Sequence, residues 1–202
     1  MFNSLRMIMS SGSILGYFLQ VVPITVIIAI IYSIIRLAWL KKKKAPIFWG
    51  KEIARLIFVC YITGLFNLIV MPANFWLGFM DGIAFGWWEE ILPVFTIGEV
   101  NLVPSVIRWL QGELSIGSWV RQMLIGNIAM FLPLGLLLPL ITDKVRIKNG
   151  LVIAAVVPVG LEVLQLVFGR SLDIDDLICN FIGIAAGLII AVLLKSRRKS
   201  TN

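Results

Sequence analysis

Four polar side chains lie inside stretches that are otherwise apolar: Asn127, Glu162, Gln165 and Asn180. Such groups are costly in a lipid interior, so they face a bundle interior or a wet cavity and mark functional positions. One carboxyl and three amides can hold a polar headgroup, carry a proton or tie helices together by hydrogen bonds. The chain has no His, which removes the commonest general base and the commonest metal ligand. Zinc and haem sites are not expected, and neither a metal nor any other cofactor is assigned. Cys60 and Cys179 are isolated in apolar stretches without C-x-x-C spacing, which favours packing over a disulfide. No Ser or Cys has a candidate base beside it, which argues against nucleophilic catalysis.

The elements that must position these groups follow from composition. Of 202 residues, 59% are hydrophobic and 14% charged, with mean hydropathy +0.97, more apolar surface than a soluble fold of this size can bury. Apolar segments cover 14–40, 53–70, 120–141, 150–168 and 177–194, each near the length that crosses a bilayer as a helix. The first is too long for a signal-peptide core, and its flanking charges lie at the wrong end for one. The expected fold is all-α, a polytopic membrane bundle of five transmembrane helices. It forms one integral membrane domain over 1–202, because the segments are spaced too closely for a separate soluble domain.

The net charge of +7 reads as membrane topology rather than nucleic-acid binding, since the basic residues cluster beside apolar segments and no nucleic-acid motif accompanies them. Arg36, Lys41 to Lys44, Lys51, Arg55, Lys144, Arg146, Lys148, Lys195, Arg197, Arg198 and Lys199 fall on one side of the expected bundle. Of the 18 Lys and Arg residues, Arg6, Arg108, Arg121 and Arg170 remain for the other. This asymmetry, alternating at every loop, places the N-terminus outside and the C-terminus in the cytoplasm.

Residues 71–119 form the long connection, rich in Phe75, Trp76, Phe79, Phe85, Trp87, Trp88, Phe95, Trp109 and Trp119 and mixed with Asp81, Glu89, Glu90, Glu99 and Glu113. Aromatics of this kind favour the headgroup zone, so the segment is expected to lie along the outer face or dip into it. A sixth span would have to carry Asp81, Glu89 and Glu90, each costing roughly 2.5 to 3.5 kcal/mol at mid-bilayer. No sixth span is expected, although a shallow re-entrant hairpin fits.

Counted inward at about 1.5 Å per residue, Asn127, Glu162, Gln165 and Asn180 fall roughly 5 to 10 Å deep in one leaflet. Glu162 and Gln165 share a helix face, and Asp176, Asn180, Gly183 and Gly187 continue one stripe of the last helix. The Gly183-x-x-x-Gly187 seam lets the third or fourth helix approach the fifth closely. Pro158 frees the carbonyl of Ala154 below the cluster. A small outward-facing polar cavity is the geometric expectation. Over its mouth runs Gly169-Arg170-Ser171-Leu172-Asp173-Ile174-Asp175-Asp176. Arg170 is suited to pair with Glu162 or to grip an anionic headgroup. Against a ligand role, Asp173 is a natural N-cap for the last helix, and Asp175 and Asp176 complement its dipole. Asn127, Gln165 and Asn180 would likewise serve as interhelical hydrogen-bonding groups.

The run Asn127-Ile128-Ala129-Met130-Phe131-Leu132-Pro133-Leu134-Gly135, followed by Glu162-x-x-Gln165, Arg170, Asp173, Asp176 and Asn180-x-x-Gly183-x-x-x-Gly187, resembles the VanZ-like family of bacterial membrane proteins over residues 100–194. Asn101-Leu102-Val103-Pro104 looks like that family's outer-loop Asn-Leu-x-Pro element, with Ser105 in place of the aromatic that often follows. The resemblance implies a multi-pass protein of the bacterial cytoplasmic membrane whose founding relative confers low-level resistance to teicoplanin, a glycopeptide with a lipid tail. It transfers no catalytic residue. The expected partner is a membrane lipid, a lipid-linked cell-wall precursor or a lipoglycopeptide, met at Asn127, Glu162, Gln165, Arg170, Asp173, Asp176 and Asn180. Two other classes stay open: an intramembrane enzyme using Glu162 or Asp176 as acid or base, and a transport or assembly partner. The balance leans away from an enzyme.

Overall fold

A computed structural model describes residues 2–88, 96–113, 117–142, 145 and 147–200. Glu89, Glu90, Phe95, Lys144 and Arg146, which enter the sequence argument, lie outside the described residues, as do the side chains of Trp119, Arg197, Arg198 and Lys199. The chain is nearly all-α. Five of its helices are long and apolar enough to cross a membrane: α2 (Ile14–Lys43), α3 (Trp49–Val70), α6 (Ser118–Ile141), α7 (Ile147–Val167) and α8 (Ile174–Ser200). Shorter elements complete it: α1 (Phe2–Met9), α4 (Phe75–Phe85), β1 (Val100–Asn101), α5 (Ser105–Leu110) and β2 (Leu172–Asp173). At 11 residues, α4 rises only about 16 Å, well short of the roughly 30 Å hydrocarbon core. It adds no sixth span.

The chain forms two compact units, residues 1–97 with 167–170, and residues 98–166 with 171–202. In the first, Ser13 caps α2, its hydroxyl accepting the Gly16 amide at 3.1 Å. Helices α2 and α3 then form a hairpin through Lys44, whose left-handed backbone (φ 49°) ends α2 with N–H bonds to Leu40 and Lys41. The α2 surface is apolar on every side, and Ile30, Ile31, Ile34 and Ile35 stay exposed. A continuous exposed apolar surface of that kind suits lipid and not water.

Buried polar groups in this unit are paired across the chain. Asp81, 2% exposed, accepts Arg6 through both carboxylate oxygens, at 2.8 to 3.1 Å. Gln20 donates to the Met9 carbonyl and to Asn74, and Trp76 donates its indole N–H to Asn67 at 2.7 Å. The Asp81 carboxylate can be enclosed because the half-exposed Arg6 guanidinium saturates it. Helix α3 also starts four residues before the expected Ile53. Glu52 in its first turn is neutralised by Arg36 and Arg55, so the helix continues through a charged position.

In the second unit the core lies between α6 and α8, where Phe131 and Ile184 are fully enclosed and Leu188 is nearly so. Glycines set that spacing. A Cβ on Gly183 would meet the Ile128 carbonyl oxygen at 2.5 Å, one on Gly187 would collide with the Leu132 carbonyl, and one on Gly135 with the Ile184 carbonyl. The small-residue seam expected on the last helix therefore seats α6, and Gly135 answers it from the α6 side. Helix α7 reaches the same core through Gly150, which lies against the Leu188 side chain.

Candidate functional site

The polar residues of the second unit converge on the start of α8. Asp173 ends β2 and caps the helix: its Oδ1 accepts the Asp175 amide at 2.9 Å, satisfying one of the donors a helix N-terminus leaves open. The capped helix begins at Ile174, three residues before the expected Leu177, and so takes in Asp175 and Asp176. Strands β1 and β2 pair in parallel with Asn101 opposite Asp173, and Leu172 N–H bonds to the Glu99 carbonyl at 2.8 Å.

That pairing carries the Asn101-Leu102-Val103-Pro104 element onto the cap. Asn101 Nδ2 donates to Asp173 Oδ2 at 2.8 Å, and its Oδ1 accepts from Arg108 Nη2 at 2.6 Å. Asp175 Oδ2 accepts the backbone N–H of Ser105, the first residue of α5, at 2.9 Å. The acidic residues at the head of α8 thus hold the 101–108 segment as well as the helix itself. Pro104, with no N–H of its own, precedes α5 without leaving an extra unsatisfied donor.

From α7 Glu162, 1% exposed, meets this cap, its Oε2 accepting the Asp173 amide at 3.0 Å. Asn127 donates to Asp176 Oδ1, joining α6 to the first turn of α8. Asn180 follows one turn below Asp176, 3% exposed, and its Oδ1 accepts no hydrogen bond among the described residues. Gln165, one turn along α7 from Glu162, is buried as well. Asn127 with Asp176 and Glu162 with Asp173 thus form two bonded pairs at the head of α8, with Asn180 one turn further along it.

Arg170 reaches the end of α3. Its Nη1 donates to the Leu68 carbonyl at 2.9 Å and reaches the Met71 carbonyl at 3.5 Å, so the guanidinium secures the end of α3 within the first unit. Leu68 lies in the last turn of α3 and Met71 is the residue that ends it, where carbonyls have no later helical amide to accept from. Asn101, Arg108 and Ser105 were not among the expected site residues. The Asn-Leu-x-Pro element was the signal for them, but its partner Asp173 is 72 residues away from Asn101.

Chemically, the group is rich in acceptors that are already held in place. Carboxylates tied to backbone amides are positioned more than they are activated. No three His, Cys, Asp or Glu residues are grouped to hold a metal ion among the described residues. Cys179, one residue from Asn180, is a free, buried thiol. What the arrangement offers a ligand is a polar end between apolar helices, with Asn180 Oδ1 accepting no hydrogen bond among the described residues.

A family model described as VanZ/LLP1 matches residues 58–195, more than half of the chain. The match takes in α6, α7, α8 and the cap that joins them. No curated protein and no solved structure matches the chain.

Proposed function

Because the chain belongs to the VanZ/LLP1 family, we propose that it is a non-enzymatic cell-envelope protein that engages a lipid headgroup or a lipidated molecule at the head of α8. The molecule is a lipid-linked wall precursor or a lipoglycopeptide such as teicoplanin, whose access to its target the protein alters. The head of α8 faces outward in this reading, with the N-terminus outside, the C-terminus in the cytoplasm and the five spans in the bacterial cytoplasmic membrane. The distribution of Lys and Arg supports that orientation.

The carrying observation is Asn180 Oδ1, enclosed and without a hydrogen-bond donor among the described residues. An orphaned buried acceptor costs about 1 to 3 kcal/mol, and a donor on a bound headgroup would recover it. Glu162, Asp173 and Asp176 supply the fixed, acceptor-rich surroundings for a hydroxyl or amine, and the exposed apolar residues Leu102, Val106 and Leu110 suit the lipid part. The lack of an activated nucleophile supports binding over catalysis.

The test is teicoplanin and vancomycin susceptibility in a Gram-positive host expressing the wild type, Glu162→Gln or Asn180→Leu, with membrane abundance measured by blot. Asn180→Leu removes an unsatisfied polar atom, so its stability should hold or rise while protection falls. Selective teicoplanin protection lost in equally abundant variants is the expected result. Protection that survives Asn180→Leu would refute the site, and no protection from abundant wild type would refute the antibiotic role.

A further inference from the structure

At the other end of the first unit, α2 and α3 diverge around a cleft of about 130 Å³. Its walls are apolar, with Leu37 and Leu40 on α2 and Ile53 and Leu56 on α3, and Arg36 and Glu52 face each other across it. Arg36 grips Glu52 through Nε and Nη2, both at 2.8 Å, and lies over the Trp39 ring at 4.7 Å. These contacts leave its Nη1 without a hydrogen-bond partner among the described residues. Arg55 also bonds Glu52, so the one acidic residue between positions 36 and 55 is shared by two guanidinium groups. Next in sequence to the lining residues Leu40 and Glu52 come Lys41, Lys42, Lys43 and Lys44 at the end of α2 and Lys51 at the start of α3, all exposed.

We infer that this cleft is a seat for an anionic glycerophospholipid of the adjoining leaflet, one acyl chain lying between α2 and α3 and the phosphate held by Arg36 and the lysine run. Charge selects the occupant. A zwitterionic lipid gains little from a mouth with this excess of cations, whereas each Lys or Arg near an anionic headgroup favours it. Arg36 is the specific element, because its fork is oriented by Glu52 and stacked on Trp39, leaving Nη1 to meet a phosphate oxygen at fixed geometry. The exposed rings of Trp39 and Trp49 fit the headgroup depth at which such a lipid would sit. The site is independent of the head of α8 and of which leaflet is the inner one.

Full-length protein in mixed micelles, titrated with dioleoylphosphatidylglycerol or dioleoylphosphatidylcholine and read by native mass spectrometry, tests the assignment. Wild type should retain phosphatidylglycerol at least tenfold more tightly. Lys41→Gln with Lys44→Gln should weaken that binding by about 30-fold, from about 1 kcal/mol per charge. Ile53→Trp, which fills the cleft and leaves every charge in place, should weaken it at least tenfold with thermal unfolding in phosphatidylcholine unchanged. Glycerophosphoglycerol, the headgroup without chains, should bind at least 100-fold more weakly than the lipid. Equal retention of the two lipids would overturn the proposal. Loss with the lysine changes but none with Ile53→Trp would reduce the site to diffuse surface attraction, and tight binding of the chain-free headgroup would make it a free-phosphate site. Should Ile53→Trp unfold early, Leu37→Trp fills the cleft from the opposite wall, and full lipid retention there overturns the seat.

Discussion

The contact between α6 and α8 makes Gly187→Ala a quantitative test of the fold. A Cβ at Gly187 would lie 2.8 Å from the Leu136 amide nitrogen and 3.1 Å from the Leu132 carbonyl carbon, with the Leu132 oxygen nearer still. Its neighbours are backbone atoms, which cannot rotate away as a side chain can. Reaching ordinary contact with Leu136 at 3.4 Å requires the helices to part by at least about 0.6 Å, and clearing the Leu132 oxygen requires more. A gap of that size forfeits a quarter to a half of the dispersion energy of each atom pair along the seam. Overpacking of this kind typically costs about 1 to 3 kcal/mol, and the better helix propensity of Ala offsets up to about 1 kcal/mol. Because the neighbours are backbone atoms the upper end of that cost applies, and the expected net loss is about 2 kcal/mol, measured by reversible unfolding in mixed micelles. Gly160→Ala, where nothing lies within 4 Å of the added Cβ, is the matched control and should be neutral or slightly stabilising. If Gly187→Ala unfolds with the wild type, or if Gly160→Ala is equally damaged, the close backbone approach is not what holds this unit together.

Two further outcomes follow from the paired polar groups. Asp81→Asn weakens the two-oxygen grip on Arg6, and because the Arg6 side chain is 38% exposed, the loss should be roughly 1 to 2 kcal/mol; a double-mutant cycle with Arg6→Gln should show coupling, and simple additivity would deny the pair any energetic role. Asn101→Ala removes the bridge between Arg108 and Asp173, so amide exchange should rise at least tenfold across residues 99–110 while α6 and α8 keep their protection; uniform exchange throughout the second unit would show instead that Asn101 supports the whole core.

Much of the architecture was legible in the residues alone. Lipid offers no hydrogen bonds to the backbone, so a segment near 20 apolar residues has one favourable solution, and the five helices follow from hydropathy and length. Local chemistry was equally readable: Asp173 as a cap, because an Asp ahead of a helix can accept from the amide two residues on, and Gly183 with Gly187 as a close-approach face, because helical spacing alone aligns them. Glu52 shows the limit of that logic, since charge placed the start of α3 too late until Arg36 was known to neutralise it.

What the linear order could not supply was the choice of partners across the chain. Asp81 finds Arg6, Asn101 finds Asp173, and Arg170 donates to the Leu68 carbonyl. Each polar group had several chemically adequate partners in the sequence, and composition ranks them equally. Only when β1 lies beside β2 does Asp173 come within 3 Å of Asn101, and hydrogen bonds fall off too steeply with distance and angle for any other partner to compete.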